Sequence, residues 1–122
     1  MSAEENILTP VWATNILDWK MRLEWIYKII PEALELKDRP STSLSGGQQK
    51  LIALSRALMV GSKLLLLDEP SEGIAPALAK RIIDILNDLK KEGVTTLIAE
   101  SNAGHYKGML DKSFVIERGQ IN

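Results

Sequence analysis

A run of four leucines that ends in two carboxylates constrains the fold of this 122-residue chain most strongly. Residues 64–67 are all leucine, and Asp68, Glu69 and Pro70 follow directly. A short continuous apolar run is typical of a strand buried on both faces in a parallel sheet. Pro70 then turns the chain out of the strand, because proline has no amide donor. The pattern predicts that Asp68 and Glu69 lie at the carboxyl edge of the sheet, where α/β proteins bind ligands.

A second motif, the pentapeptide Leu-Ser-Gly-Gly-Gln at positions 44–48, precedes the leucine run. Ser45 is suited to cap a helix that runs to about Met59. The two glycines that follow it are poor helix formers, but they leave the backbone amides open to a ligand. Amides at the positive end of a helix bind phosphate, and the side chains of Ser45 and Gln48 can add hydrogen bonds. Taken alone, the same residues also suit a serine-capped helix with a flexible first turn.

The two carboxylates are a candidate site for magnesium and phosphate chemistry. Asp68 could hold Mg²⁺ through water, because Mg²⁺ keeps much of its hydration in proteins. Glu69 could polarise a water molecule that attacks a phosphate. The alternative is a helix cap beside a solvated loop charge, and the preceding pentapeptide favours the first interpretation. No Gly-x-x-x-x-Gly-Lys-Ser/Thr phosphate loop occurs in the sequence.

The composition is ordinary for a globular domain and argues against several kinds of site and partner. With 15 basic and 16 acidic residues the net charge is −1, which gives no electrostatic reason to expect nucleic acid as a partner. The absence of cysteine excludes disulfides, thiolate metal sites and cysteine catalysis. No apolar run approaches the length of a membrane span, and we expect the acidic, polar first residues not to be a secretory signal.

Apolar periodicity and turn-forming residues predict the order of elements. We expect residues 1–14 to form a loop or a short helical turn, and residues 37–43 to form a polar linker. Helices are predicted at 15–30, 45–59 and 76–93, with shorter helical segments at 31–36 and 104–110. Strands are predicted at 63–68, 94–99 and 113–117. The buried face of the 45–59 helix should consist of Leu51, Leu54, Leu58 and Met59. Strands that alternate with helices predict an α/β sheet with right-handed crossovers.

At these motifs the chain resembles the ATP-binding subunits of ABC transporters. The pentapeptide is similar to the family's signature sequence, and the leucine run is similar to its Walker B strand. Further similarity covers Arg-Ala-Leu at 56–58 and the stretches at 93–98 and 115–121. Three segments resemble the branch that imports branched-chain amino acids: Met-Ser-Ala-Glu-Glu-Asn-Ile at 1–7, Ser-Glu-Gly-Ile-Ala-Pro at 71–76 and Glu-Ser-Asn-Ala at 100–103.

The resemblance implies a role for each matching residue. Asp68 would be the Mg²⁺-linked aspartate, and Glu69 would be the general base. Four signature residues would contact the terminal phosphate of an ATP held by the opposite subunit: Ser45, Gly46, Gly47 and Gln48. The fold implied is an incomplete P-loop NTPase-type parallel sheet with helices, preceded by part of a helical subdomain. Residues 1–43 would belong to that subdomain, and residues 44–122 to the C-terminal part of the ATPase core.

The same resemblance implies the partners. The helical subdomain would dock on ABC permease subunits, which places the chain in the cytoplasm at the inner face of the cell membrane. ATP and Mg²⁺ would bind only with a partner that supplies the phosphate loop, either another ATP-binding subunit or the missing N-terminal half. We therefore expect the chain alone to hydrolyse ATP negligibly.

The chain departs from the family pattern in several places. The phosphate loop, the adenine-stacking aromatic residue and the glutamine loop are absent. Ser101 occupies the position of the switch histidine, and serine has no basic nitrogen. His105 lies four residues later and is interpreted as a surface helix residue. Ile74 replaces the usual aspartate of its loop, as is normal for the branch that imports branched-chain amino acids. In the family, the phosphate-loop strand lies within the sheet, so its absence should leave open edges and an apolar face that favour self-association.

Two other functions fit parts of the sequence. One is the C-terminal lobe of a DNA-maintenance ABC ATPase, which carries the same two motifs. That class needs a long coiled coil before the signature, whereas the preceding region here is short and contains prolines. The other is a non-catalytic module that docks on a permease or on a full-length ATPase. It differs from the leading hypothesis only in whether a partner supplies a phosphate loop.

Overall fold

Five α-helices and four strands make up the computed structural model, which describes residues 1–61, 63–101, 103–106 and 108–121. The helices are α1 (Ala3–Thr14), α2 (Trp19–Ile29), α3 (Pro31–Glu35), α4 (Gly46–Val60) and α5 (Pro76–Lys91). The strands are β1 (Leu64–Asp68), β2 (Thr95–Ala99), β3 (Ile116–Glu117) and β4 (Gln120–Ile121). Two 3-10 helices span Ser41–Ser43 and Ala103–Tyr106.

The leucine run forms one strand of a parallel pair. In the register of β1 and β2, Leu64 lies opposite Thr95 and Asp68 opposite Ala99, and α5 connects the two strands. A long helical connection is what parallel neighbours require, because a tight turn can join only antiparallel strands. The predicted α/β class with a parallel sheet is therefore confirmed.

The prediction that β1 is buried on both faces was wrong. Leu65 is 3% exposed on the side that packs against the helices, but Leu64 and Leu66 on the other side are 59% and 64% exposed. Leu97, opposite Leu66 on β2, is 61% exposed. Within the described residues, the second face of the sheet has no covering layer. A continuous apolar run shows that both faces of a strand are hydrophobic, but it does not show whether other elements pack against each face.

The predicted third strand at 113–117 also needs correction. Only Ile116–Glu117 is extended and paired, and it pairs antiparallel with Gln120–Ile121 through the turn at Arg118 and Gly119. This hairpin forms a sheet of its own and does not extend the β1–β2 pair. The expected helix at 104–110 is replaced by the 3-10 helix Ala103–Tyr106, and residue 107 lies outside the described residues.

Residues Ala3–Thr14 form a 12-residue helix, where the sequence predicted a loop or a short helical turn. Ser2 and Glu5 make a capping box, in which the Ser2 hydroxyl accepts from the Glu5 amide and the Glu5 carboxylate accepts from the Ser2 amide. Pro10 cannot donate to the carbonyl of Asn6, and the hydroxyl of Thr9 donates to that carbonyl at 2.8 Å. The proline is tolerated because the Thr9 hydroxyl replaces the missing amide as a hydrogen-bond donor to the Asn6 carbonyl.

The hydrophobic core lies between the five helices and the inner face of the sheet, and includes Ile7, Ile26, Leu58, Leu65 and Leu86. The predicted buried face of α4 is confirmed, with Leu51, Leu54, Leu58 and Met59 at most 5% exposed. Helices α1, α2 and α3 pack against α4.

The segment at 37–43 is tied to the start of the chain by backbone hydrogen bonds. The amide of Ala3 donates to the carbonyl of Arg39 at 2.9 Å, and the amide of Ser41 donates to the carbonyl of Met1 at 2.9 Å. The division at residues 43 and 44 into two subdomains stays a prediction. Among the described residues, no helix combines the length and apolar character needed to cross a membrane.

Candidate functional site

The first turn of α4 carries the Leu-Ser-Gly-Gly-Gln motif. Ser45 is the N-cap: its hydroxyl accepts from the Gln48 amide at 3.2 Å, and the Gln48 side-chain oxygen accepts from the Ser45 amide at 3.0 Å. This capping box uses both side chains within the turn. The amides of Gly46 and Gly47 have no carbonyl acceptor inside the helix, because they belong to its first turn. They are the donors that a phosphate could use.

The two glycines of the motif have different surroundings. A Cβ atom at Gly46 would meet no described residue within 4 Å, so this backbone is open to approach from outside. A Cβ atom at Gly47 would lie 2.0 Å from Cδ2 of Leu78 on α5. The sequence assigned both glycines to ligand approach, whereas a side chain at Gly47 would also displace the end of the Leu78 side chain on α5.

Asp68 and Glu69 lie at the carboxyl edge of the β1–β2 pair, as the sequence predicted. Asp68 is the exposed last residue of β1. Glu69 follows in the left-handed backbone region, with φ of 48°, and its amide donates to the carbonyl of Ala99 at 2.7 Å. Its Oε1 accepts a hydrogen bond from the Ser101 amide at 3.0 Å. The structure therefore brings together the candidate base and the residue at the expected switch position.

Sequence reasoning missed Glu100, which forms the most connected carboxylate of the site. Its Oε1 accepts from the amide of Ser71 at 3.1 Å, from the hydroxyl of Ser71 at 2.6 Å and from the hydroxyl of Tyr106 at 2.9 Å. Tyr106 is buried. Glu100 directly follows β2 as Glu69 follows β1, so the rule that ligands bind at the carboxyl ends of parallel strands could have identified it.

The two glutamates affect each other's ionisation. Hydrogen bonding with the Glu100 carboxyl, together with burial, raises the pKa of Glu69. Burial acts to raise the pKa of Glu100 as well, but hydrogen bonds from Ser71, Glu69 and Tyr106 outweigh it and the pKa is lowered. Glu69 is therefore the more basic of the two carboxylates. Burial, and to a lesser extent Glu100, raise the pKa of Tyr106 to about 12.

Lys50 joins the first turns of α4 to the loop after β1. Its Nζ donates to the carbonyls of Glu69 at 3.4 Å and Pro70 at 3.3 Å, and to the carbonyl of Glu72. A single ammonium group has three donors and uses them here on one loop. The loop at 69–72 is consequently held by α4 on one side and by the end of β2 on the other.

The described residues include no cluster of three or more His, Asp or Glu side chains that could hold a metal ion. Asp68 alone still fits Mg²⁺, because that ion is commonly bound by one or two carboxylates together with water and substrate phosphates. Of the residues compared with the switch region, Asn102 and the side chain of His105 lie outside the described residues.

A parallel strand pair with carboxylates at its carboxyl edge, beside a helix that begins Ser-Gly-Gly, is the arrangement of an ATP-binding cassette. A family model described as "ABC transporter" matches residues 2–72, more than half of the chain. The chain belongs to this family.

Relatives and solved structures agree with this assignment. The chain is 36% identical to the high-affinity branched-chain amino acid transport ATP-binding protein BraG of Pseudomonas aeruginosa, over 99% of the chain and 52% of the relative. It is 40% identical to the probable branched-chain amino acid transport ATP-binding protein LivG of Methanocaldococcus jannaschii, over 81% of the chain and 39% of the relative. A crystal structure of the ADP conformation of an ABC transporter cassette matches with a TM-score of 0.88 at 30% identity, over 100% of the chain and 54% of the cassette. The chain thus spans about half the length of these proteins.

Proposed function

We propose that the chain is part of the ATP-binding component of an ABC transporter that imports branched-chain amino acids. The observation that carries this proposal is the 36% identity to BraG over 99% of the chain. The substrate class rests on that relative and on LivG, both of which are named as branched-chain amino acid transport proteins. In this proposal residues 1–43 dock on permease subunits, and the chain works at the inner face of the cell membrane.

The chemistry assigned to the site rests on the resemblance to the family and on the kinds of residue at these positions. Bound Mg²⁺ would neutralise charge on the nucleotide phosphates, and Asp68 would hold it together with those phosphates. Glu69 would orient the attacking water and take its proton, a role that its raised pKa favours. Ser45, Gln48 and the open amides of Gly46 and Gly47 would contact the terminal phosphate of an ATP bound by a partner.

We further propose that a partner completes the ATP site. No phosphate-loop motif occurs in the sequence, and one face of the sheet exposes apolar side chains on both strands. A polypeptide that supplies the phosphate loop and covers this face would provide both missing parts. The second candidate function is a non-catalytic docking module, which differs from the first in that no phosphate loop is supplied.

The test is complementation with the phosphate-loop half of a related cassette. We expect the isolated chain to show no ATP binding in calorimetry, and the complemented assembly to hydrolyse ATP. Glu69→Gln should abolish hydrolysis and leave ATP bound, because the amide keeps the shape but cannot accept the proton. Glu24→Gln, an exposed change on α2, is the control and should leave hydrolysis unchanged. ATP bound by the chain alone, or full hydrolysis by the Glu69 variant, would contradict the assignment.

A further inference from the structure

Three consecutive residues at the end of β2 hold the loop that follows β1. The carbonyl of Ala99 accepts from the Glu69 amide at 2.7 Å, and the Ser101 amide donates to Glu69 Oε1 at 3.0 Å. Between them, Glu100 Oε1 accepts from both the amide and the hydroxyl of Ser71. The main chain of the loop and the carboxylate of Glu69 are therefore both fixed by the last residue of β2 and the two residues that follow it.

Tyr106 fixes the carboxylate of Glu100 from the other side. The tyrosine lies in the 3-10 helix that packs against α5 and is 1% exposed. Its hydroxyl donates to Glu100 Oε1 at 2.9 Å, which gives the buried hydroxyl the partner it needs. With three hydrogen bonds on one oxygen, the carboxylate has little freedom to rotate away, since hydrogen bonds to a charged acceptor are the strong ones.

The backbone of Glu69 needs such support. Its φ of 48° lies in the left-handed region, which non-glycine residues seldom adopt. A residue held there depends on contacts that over-determine its conformation. The hydrogen bonds from Ser71 to Glu100 are made two residues further along the same loop, where they prevent the turn from relaxing.

We propose that Glu100 is a positioning residue, which fixes the loop at 69–71 through Ser71 and thereby the orientation of the Glu69 carboxylate. The catalytic part of this inference rests on the proposed function, in which Glu69 is the base. The positioning itself is a property of the chain alone. Tyr106 belongs to the same unit, because it holds Glu100 in place.

The isolated chain provides the first test, by amide hydrogen exchange followed by NMR. Glu100→Ala should raise the exchange rates of the Ser71 and Ser101 amides about tenfold, as expected when a hydrogen bond to a charged group is lost. Glu100→Gln keeps an acceptor oxygen and should have a smaller effect. Glu72→Gln removes one negative charge from the loop that carries Ser71 and should leave both amides unchanged, since the Glu72 carboxylate makes no hydrogen bond among the described residues. Unchanged exchange in Glu100→Ala overturns the proposal.

Tyrosine ionisation gives a second readout, provided that circular dichroism at each pH shows the chain still folded, because exposure of Tyr106 would by itself lower its pKa. In a Tyr27→Phe background, the absorbance of the remaining tyrosine should titrate with a pKa of about 12. Glu100→Gln should shift this pKa toward the ordinary value of 10.0, because the neighbouring negative charge is removed. An unshifted titration would show that Tyr106 and Glu100 do not act on each other.

The complemented assembly tests the link to hydrolysis. There, Glu100→Ala and Tyr106→Phe should each lower kcat with KM unchanged, because they misplace Glu69 without touching the nucleotide. An inactive wild-type assembly would contradict the proposed function, while the exchange experiment would still decide the positioning. An active assembly in which both variants keep the wild-type kcat overturns the role of Glu100.

Discussion

The two signature glycines show how adjacent residues of one type can be required for different reasons. Gly46 faces open space, and none of the residues that the structure describes would obstruct a side chain there. Gly47 lies directly under Leu78 of α5, so a side chain there would displace a packed leucine. A requirement for glycine at position 46 would therefore come from a ligand, whereas a side chain at position 47 would also have to displace the end of the Leu78 side chain.

Substitution by alanine separates the two requirements. Gly46→Ala should raise the free energy of unfolding by about 0.5–1 kcal/mol, because alanine loses less backbone entropy in a helix. The same variant should weaken ATP retention in the complemented assembly, since the Cβ occupies the approach to the amides. Urea denaturation and nucleotide retention measure the two effects.

Gly47→Ala is the matched control for this experiment. It should lower the free energy of unfolding, because Leu78 must leave its rotamer to make room for the new Cβ. A Gly46 variant that is destabilised, or that retains ATP normally, would contradict the assignment of position 46 to the ligand.

At the level of elements, an ion pair joins α3 to α5. Arg81 donates from Nε and Nη2 to the two carboxylate oxygens of Glu32, the second at 2.9 Å. Both side chains are about 30% exposed. The hydrogen bonds from Arg81 lower the pKa of Glu32. A bidentate Arg–carboxylate salt bridge fixes the relative orientation of its two side chains more closely than a single hydrogen bond between surface charges does.

The pair predicts a pH dependence of stability. Because the folded-state pKa of Glu32 lies below its ordinary value of 4.5, the pair stabilises the fold above pH 4.5 and loses this effect as the pH falls through the folded-state pKa. Glu32→Gln should therefore lower the free energy of unfolding by about 0.5–1 kcal/mol at pH 7. Urea denaturation at pH 7 and at pH 3 should show the difference from wild type shrinking in acid.

Glu35→Gln on the same helix controls for the loss of one negative charge. Its carboxylate is exposed and should contribute almost nothing at either pH. A Glu32 variant as stable as wild type at pH 7 would show that the pair is screened by solvent.

On the scale of the whole molecule, the uncovered sheet face is the dominant feature. Leu64, Leu66 and Leu97 project from the same side of the β1–β2 pair and are each about 60% exposed. Contiguous exposed apolar side chains on a short sheet with unpaired edges favour association with another polypeptide. In isolation, a second copy of the chain is the available partner.

We expect the isolated chain to self-associate through this face. Leu66→Thr combined with Leu97→Thr should shift sedimentation at micromolar concentration toward the monomer, because threonine keeps the strand propensity and removes apolar surface. Leu17→Thr, at a side chain 97% exposed outside the sheet, should leave sedimentation unchanged. A wild-type chain that sediments as a clean monomer would contradict this prediction.

The sequence by itself determined the elements whose information is local. The apolar spacing of α4 and α5, the leucine run of β1 and the carboxylates at its end follow from side-chain periodicity and from the stop signal of Pro70. Ser45 and Gln48 are three residues apart, so their capping box is also legible in the sequence. These features depend on residues that are neighbours along the chain.

Tertiary structure decided the features that depend on residues far apart. Glu100 meets Ser71 across 29 positions, and Gly47 meets Leu78 across the α4–α5 contact. Whether Leu66 is covered depends on what packs over the sheet, which the hydrophobicity of the strand does not encode. The chemistry of a side chain determines what it can bind. The three-dimensional packing determines which residues it meets and whether it is buried or exposed.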